Sequence, residues 1–292
     1  MSARRARVIR AGLAVALLVG AGAFAHAADA PRSPSAAGAP GLEWRPVADG
    51  ADRATMRMTA DGSPEIQLLR FDLERFRAEV VVGKGVPPHP RTAADLRKGR
   101  GAVAAVNGGF FDEQVVPLGL RIADGETRFP LRAKADWGVL VLAGHRARIV
   151  HTREFPPPPA DATLPRIDGA IQVGPRLVVD GVALKLRPQL ARRTAVALDR
   201  GGRLLTLVVA PGPIDASALA VRLAALGFQS AVLLDGGPST QASVLLGPEN
   251  LEVEGAYPVP DLLAIFTRPP PRKVNGPPTA PGPPTTRDAP RP

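Results

Sequence analysis

Between residues 42 and 268, apolar positions recur mostly in twos or in short unbroken runs, the spacing of strands rather than helices. Residues 65–71 and 76–82 predict an early antiparallel pair. The run at 103–106 ends in Asn107. Residues 137–142 and 147–151 predict a hairpin about 143–146, and residues 194–199 and 203–209 a second about Arg200-Gly201-Gly202. Residues 231–234 read as a further buried strand and 262–266 as a closing one. Helical spacing is confined to two places. Thr92 can cap a short helix over 93–98. Leu219, Leu223 and Leu226 mark a longer helix from Asp215, capped by Asp215 or Ser217 and ended by Gly227. The expected architecture is α+β: one domain, with a mixed or antiparallel sheet and a few packed helices.

Outside this span the composition changes. Residues 1–27 have the parts of an export signal: a basic start with Arg4, Arg5, Arg7 and Arg10, an apolar run over 11–25, and Ala25-His26-Ala27 as a cleavage site. The apolar run is short for a membrane span, which needs about 20 residues, so no stable span is expected after cleavage. The expected location is periplasmic or extracellular, with retention of the signal as an anchor left open. Residues 28–41 read as a flexible linker, and 269–292, rich in Pro, as a disordered tail. The folded unit is expected over 42–268.

The net charge of +10 concentrates in these ends. Residues 1–27 carry four arginines and no acid, and the tail carries Arg272, Lys273, Arg287 and Arg291 against Asp288. The small excess left in the middle does not imply a nucleic-acid partner. There is no cysteine, which excludes disulfides, thiol nucleophiles and cysteine metal sites. His26, His89, His145 and His151 form no ligand spacing, so no metal site is assigned. Loop carboxylates leave a divalent cation open, although no calcium-loop pattern occurs. No serine sits in a nucleophile elbow.

Two loops carry candidate chemistry. The buried run at 231–234 stops abruptly at Asp235-Gly236-Gly237-Pro238-Ser239-Thr240, and the run at 103–106 stops at Asn107-Gly108-Gly109-Phe110-Phe111-Asp112. Glycine can take backbone conformations closed to other residues, and its bare backbone lets a ligand approach. Asp235, and Asp112 as a second candidate, are the carboxylates. Asn107 can donate and accept at once, and Ser239 and Thr240 add hydroxyls. The competing reading makes Asp235 and Asp112 turn-formers and at least one of Phe110 and Phe111 core. Arg121 lies in an apolar strand and Arg193 just before another. Each fork could match a phosphate or could pair with Asp124 or Asp199.

The motifs Asn107-Gly108-Gly109-Phe110-Phe111, Pro117-Leu118-Gly119-Leu120, Arg193-Thr194-Ala195 and Leu234-Asp235-Gly236-Gly237 with Ser239, in that order, resemble the phosphodiester glycosidase family over roughly 60–268. Pro238 departs from it, standing where the family often continues with a third glycine. The resemblance implies hydrolysis of a sugar-1-phosphodiester in envelope glycans or glycolipids, with no cofactor required. Asp235, or Asp112, would activate water or stabilise the oxocarbenium-like centre. Arg193 and Arg121 would grip phosphate. Asn107, Gly108, Gly109, Gly236, Gly237, Ser239 and Thr240 would form the sugar-binding surface. The alternative is a non-catalytic envelope module that binds glycans in the same cleft.

Overall fold

Strand Leu204–Asp215 is apolar on both faces because it lies between two layers. Leu205, Leu207 and Val209 enter a central core, while Val208 and Ala210 face a second core beneath a helix. A computed structural model describes residues 42–58, 64–155 and 166–269. The expected signal, linker and most of the expected tail lie outside these residues, as does the proline run at 156–159.

The described residues form three sheets, all with antiparallel pairing. The first has eight strands, in the order Arg45–Ala48, Ala51–Met56, Ile66–Asp72, Leu204–Asp215, Leu190–Leu198, Ser230–Leu233, Arg176–Val179 and Val182–Ala183. The second runs Glu126–Phe129, Arg121–Ala123, Gly169–Val173, Gly138–Ala143, Arg146–His151, and the third Glu249–Val253, Ala242–Leu246, Ala104–Asn107, Asp261–Thr267, Phe76–Val82. The central core takes side chains from all three, among them Phe71, Val106, Leu140, Ile171, Leu207 and Ile265. Alternation is strict where two cores meet one strand: Leu263 and Ile265 point to the centre, Leu262, Ala264 and Phe266 outward.

Only two α-helices occur among the described residues, so the fold is mostly β and the α+β expectation overweights the helices. Ala93–Arg100 covers the outer face of the third sheet through Ala93 and Leu96, with Thr92 accepting from the Asp95 amide at 3.0 Å. Ala216–Ala225 covers the first sheet through Leu219, Ala220 and Leu223; Asp215 caps it, accepting from the Ala218 amide at 2.9 Å.

Both expected hairpins form. The expected pairing of 65–71 with 76–82 does not. Ile66–Asp72 belongs to the first sheet and Phe76–Val82 pairs with Asp261–Thr267 in the third. The chain crosses between sheets at the turn Asp72–Arg75, closed by the Arg75 amide on the Asp72 carbonyl at 2.9 Å. The crossing lets Phe71 and Phe76 meet edge to face in the central core, ring centres 5.3 Å apart.

Candidate active site

Three strand ends meet where the first sheet faces the third. Asn107 closes Ala104–Asn107, Asp261 opens the neighbouring strand, and Leu234-Asp235 follows Ser230–Leu233. The Leu234 amide donates to the Thr194 carbonyl at 2.9 Å, the Asp235 amide to the Gly108 carbonyl at 3.0 Å, and the Gly108 amide to the Asp261 carbonyl at 2.9 Å. Segments distant in sequence thus close into one backbone frame.

Asn107 is wholly buried at its centre. Its Nδ2 donates to the Asp235 carbonyl at 2.8 Å, and its Oδ1 accepts from the Thr194 hydroxyl at 2.7 Å and the Gln241 amide at 3.2 Å. The side-chain amide therefore acts as a strut within the protein. Beyond it, Asp235-Gly236-Gly237-Pro238-Ser239 curls into a short 3-10 turn over Gly237–Ser239. Gly237 has φ +57° with open space where a Cβ would be, a conformation costly to other residues. Pro238 sits in the first turn, where its missing amide hydrogen is no loss.

The Asp235 carboxyl is partly buried and accepts from the Gly236 amide at 2.9 Å. Burial pushes it above the ordinary carboxylate range. The Ser239 hydroxyl and the Gly236 amide oppose this, the Asp261 charge adds to it, and the Arg121 charge opposes it.

Arg121 and Asp261 are fully buried, with Nε 3.0 Å from Oδ2. The two atoms lack hydrogen-bond alignment with each other or any other group among the described residues. Asp261 Oδ1 accepts from the Gly109 amide at 2.8 Å. Arg121 donates to the carbonyls of Leu120 at 3.0 Å, Phe110 at 3.1 Å and Gln172 at 3.2 Å. It thus reaches an anion inside the protein, and that anion is Asp261 rather than Asp124. Gly108 and Gly109 lie against this pair. A Cβ on Gly108 would come 1.9 Å from Asp261 Oδ1, and one on Gly109 2.4 Å from Arg121 Nη2. Burial raises the Asp261 carboxyl, against the pull of Arg121 and the Gly109 amide.

Arg193 passes beneath the loop, with Nη1 3.8 Å from where a Gly236 Cβ would stand. Its Nη2 donates to the Gln189 carbonyl at 2.5 Å and to Gln189 Oε1 at 3.3 Å, and its buried Nε has no partner among the described residues. Burial lowers its basicity, partly offset by the Asp215 charge. Neither Asp124 nor Asp199 pairs with it. Thr240 is buried and its hydroxyl has no partner among the described residues. Ser239 lies 3.4 Å from the Tyr257 hydroxyl, and the Tyr257 ring meets Phe111 edge to face. Phe110 packs on Trp137 with ring centres 4.9 Å apart.

Asp112 stands apart in role. Its Oδ1 accepts from the amides of Gln114 and Val116 at 3.0 and 2.9 Å, forming the turn after Phe111. Asp261, Gln241 and Tyr257 are absent from the sequence candidates. Asp261 had a readable signal: it directly precedes an apolar strand, the mirror image of Asn107 and Asp235. Gln241 had none, yet it accepts from the Ala93 amide at 2.7 Å and donates to the Ser239 and Tyr257 carbonyls.

A cleft of about 390 Å³, lined by Arg77, Arg146, Arg166 and Arg268 together with Glu79, Asp124 and Asp168, lies elsewhere. Its lining includes Arg268, just beyond the end of Asp261–Thr267, and none of residues 107–112 or 234–240. Its lining carries both signs of charge, and Arg146, Arg166 and Arg268 donate to backbone carbonyls. Among the described residues no three His, Cys, Asp or Glu side chains converge as metal ligands, and no helix is long and apolar enough to cross a membrane.

Fold and site together define a class: a β protein with a half-buried carboxylate on a glycine turn between two sheets. A sequence model of phosphodiester glycosidases matches residues 100–266, and the chain belongs to that family. It is 29% identical over 127 residues to the uncharacterised protein YigE of Escherichia coli K12, covering 39% of this chain and 48% of that one. The chain thus spans about half the length of this curated relative. Its fold is similar to the catalytic domain of zebrafish N-acetylglucosamine-1-phosphodiester alpha-N-acetylglucosaminidase, auto-inhibited by its pro-peptide, with a TM-score of 0.56 and 18% identity over 78% of this chain and 84% of that chain. A hypothetical protein from Synechocystis aligns with a TM-score of 0.52 and 15% identity over 79% of this chain and 64% of that one. A Burkholderia pseudomallei protein, named as a candidate exported protein, aligns with a TM-score of 0.51 and 15% identity over 70% and 74%.

Proposed function

We propose that the protein is an exported hydrolase that cleaves the bond between an anomeric carbon and the phosphodiester it carries, in envelope glycans or glycolipids. The observation that carries this reading is the placement of Asp235: a partly buried carboxyl on a loop whose backbone Asn107 holds at the Asp235 carbonyl, with the Arg193 guanidinium, which pairs with no carboxylate among the described residues, under the same loop. The activity for which the zebrafish enzyme is named, N-acetylglucosamine-1-phosphodiester alpha-N-acetylglucosaminidase, supports this substrate class. The name of the Burkholderia relative, with the signal pattern of residues 1–27, supports export.

In this reaction the bond from C1 to the phosphate oxygen breaks, and the phosphate leaves as a monoester carrying both electrons of that bond. Such a leaving group requires little acid catalysis, unlike an ordinary alcohol. Asp235 stabilises the positive charge growing at C1, or takes a proton as water attacks it, and the products are free sugar and the phosphomonoester. The raised Asp235 carboxyl suits proton acceptance near neutrality better than an ordinary aspartate does. Arg193 meets the phosphate as a fixed fork. Phe111 and Tyr257 offer an aromatic edge to the sugar. Arg121 acts behind the loop, and Asp112 shapes the loop bearing Phe111.

The test is release of free sugar from a model sugar-1-phosphodiester by the wild type and by Asp235→Asn. Loss of turnover in the variant with its fold intact is the expected result. Equal turnover would remove Asp235 from the chemistry. Saturable sugar binding without turnover in the wild type would favour a glycan-binding module.

A further inference from the structure

We propose that Asp261 is a positioning residue for Asp235: with Arg121 it clamps the Gly108-Gly109 backbone on which Asp235 rests and sets the local field at the Asp235 carboxyl. This inference rests on the reading of Asp235 as the reacting carboxylate.

The clamp is visible atom by atom. Asp261 accepts from the Gly109 amide through Oδ1 and from the Gly108 amide through its main-chain carbonyl, and the Gly108 carbonyl in turn accepts the Asp235 amide. The two glycines leave no room for side chains against Asp261 and Arg121. A buried ion pair is not an economical way to stabilise a core, since well-packed apolar residues commonly do as well. In this pair Nε and Oδ2 lie 3.0 Å apart, and the remaining bonds of both groups go to backbone: Arg121 to the carbonyls of Leu120, Phe110 and Gln172, Asp261 Oδ1 to the Gly109 amide. What the arrangement does provide is a fixed negative charge and a fixed positive charge behind one loop, in a region of low dielectric where both act strongly.

The charges oppose each other at Asp235. Asp261 disfavours the ionised form and Arg121 favours it, with the Asp261 contribution the larger. The other ionisable groups near the loop are Arg193, under Gly236, and Tyr257, through Ser239. Neither bonds to Arg121 or Asp261, and both are unchanged in sequence by variants in the pair.

The experiment uses the full chain and three variants: Asp261→Asn, Arg121→Met and the double variant. The readout is the acid limb of the pH profile for sugar release. Asp261→Asn removes the repulsion, leaves Arg121 and preserves an acceptor for the Gly109 amide. Its limb is expected about one pH unit below wild type. The double variant falls between the two, and Arg121→Met lies above wild type. Arg121→Met leaves a buried unpaired carboxylate and can fail to fold, whereas the double variant removes both charges and keeps the comparison open. Carboxyl-carbon NMR titration of Asp235, assigned with Asp235→Asn, reads the same order without turnover.

A common acid limb and a common Asp235 titration in wild type, Asp261→Asn and the double variant would overturn the proposal. A wild type that releases no sugar while the titration order holds would overturn the assigned reaction and leave the coupling standing.

Discussion

The side-chain amide of Asn107 donates to the main-chain carbonyl of Asp235 at 2.8 Å, across 128 positions of sequence. The same amide's oxygen takes the Thr194 hydroxyl and the Gln241 backbone N–H. One residue thereby sets the height of the Asp235 loop above both sheets.

Asn107→Ala is expected to leave the Asp235 carbonyl, the Thr194 hydroxyl and the Gln241 amide without their partner. A buried group orphaned in this way costs about 1–3 kcal/mol. Urea unfolding should show a loss of roughly 3 kcal/mol, with activity falling at temperatures where the variant is still folded. A loss within about 0.5 kcal/mol would mean that Asn107 is not a strut.

Glycine substitutions should separate sharply. Gly108→Ala puts a methyl 1.9 Å from Asp261 Oδ1 and 2.7 Å from its backbone oxygen. Overpacking of this kind costs about 1–3 kcal/mol or more, so little folded protein is expected. Gly99→Ala, inside Ala93–Arg100 and with nothing within 4 Å, should instead stabilise by about 0.5–1 kcal/mol. Thermal unfolding of the pair checks both signs.

Arg193→Ala should lower kcat/KM for the phosphodiester by about a hundredfold, the scale of a lost charge-assisted contact to an anion. Its melting temperature should stay within a few degrees of wild type. Arg193→Lys should recover only part, because a point charge does not replace a fork. A neutral sugar glycoside, having no phosphate, would be the control on which the variant and wild type agree.

Stability should depend on pH through Asp235. Its carboxyl is raised in the folded protein above the usual value of 3.8, so the native state holds more protons than the unfolded state just above pH 3.8. Stability is therefore lost as pH rises through the interval between the unfolded and folded values, and the deficit is complete above it. Asp235→Asn lacks this penalty. It should be more stable than wild type at pH 7, with the difference closing as pH falls below 3.8. Urea midpoints at the two ends of the range decide the matter.

Much of this architecture was legible from period and punctuation. Both capped helices and both hairpins follow from local signals that tertiary contacts left intact, as at Thr92, Asp215 and Gly144. Strands such as Ala51–Met56 and Glu249–Val253 were not readable, because their core contacts come from only a few apolar side chains separated by charges. Glu249 is buried and paired with Arg45 and Arg53 from the far strands, a partnership that spacing cannot show. The pairing of 65–71 with 76–82 misled for a related reason: adjacency favours a hairpin, while Phe71 and Phe76 demand a crossing between sheets. At the site, the two Gly-Gly loops were visible because strands end there in polar residues. What reaches them from behind was not. Gly108 and Gly109 suggested room for a ligand, and the structure fills that room with Arg121 and Asp261.

The crowding behind Gly108 and Gly109 has a bearing on how the family could diversify. Behind Gly108 and Gly109, Asp261 and Arg121 leave no room for a side chain. The rings of Phe110, Phe111 and Trp137 are half-buried and that of Tyr257 is exposed, so substitutions there are expected to disturb the Arg121–Asp261 pair less than any at Gly108 or Gly109. Libraries confined to those four positions would test how far binding can change while the Asp235 loop stays in place.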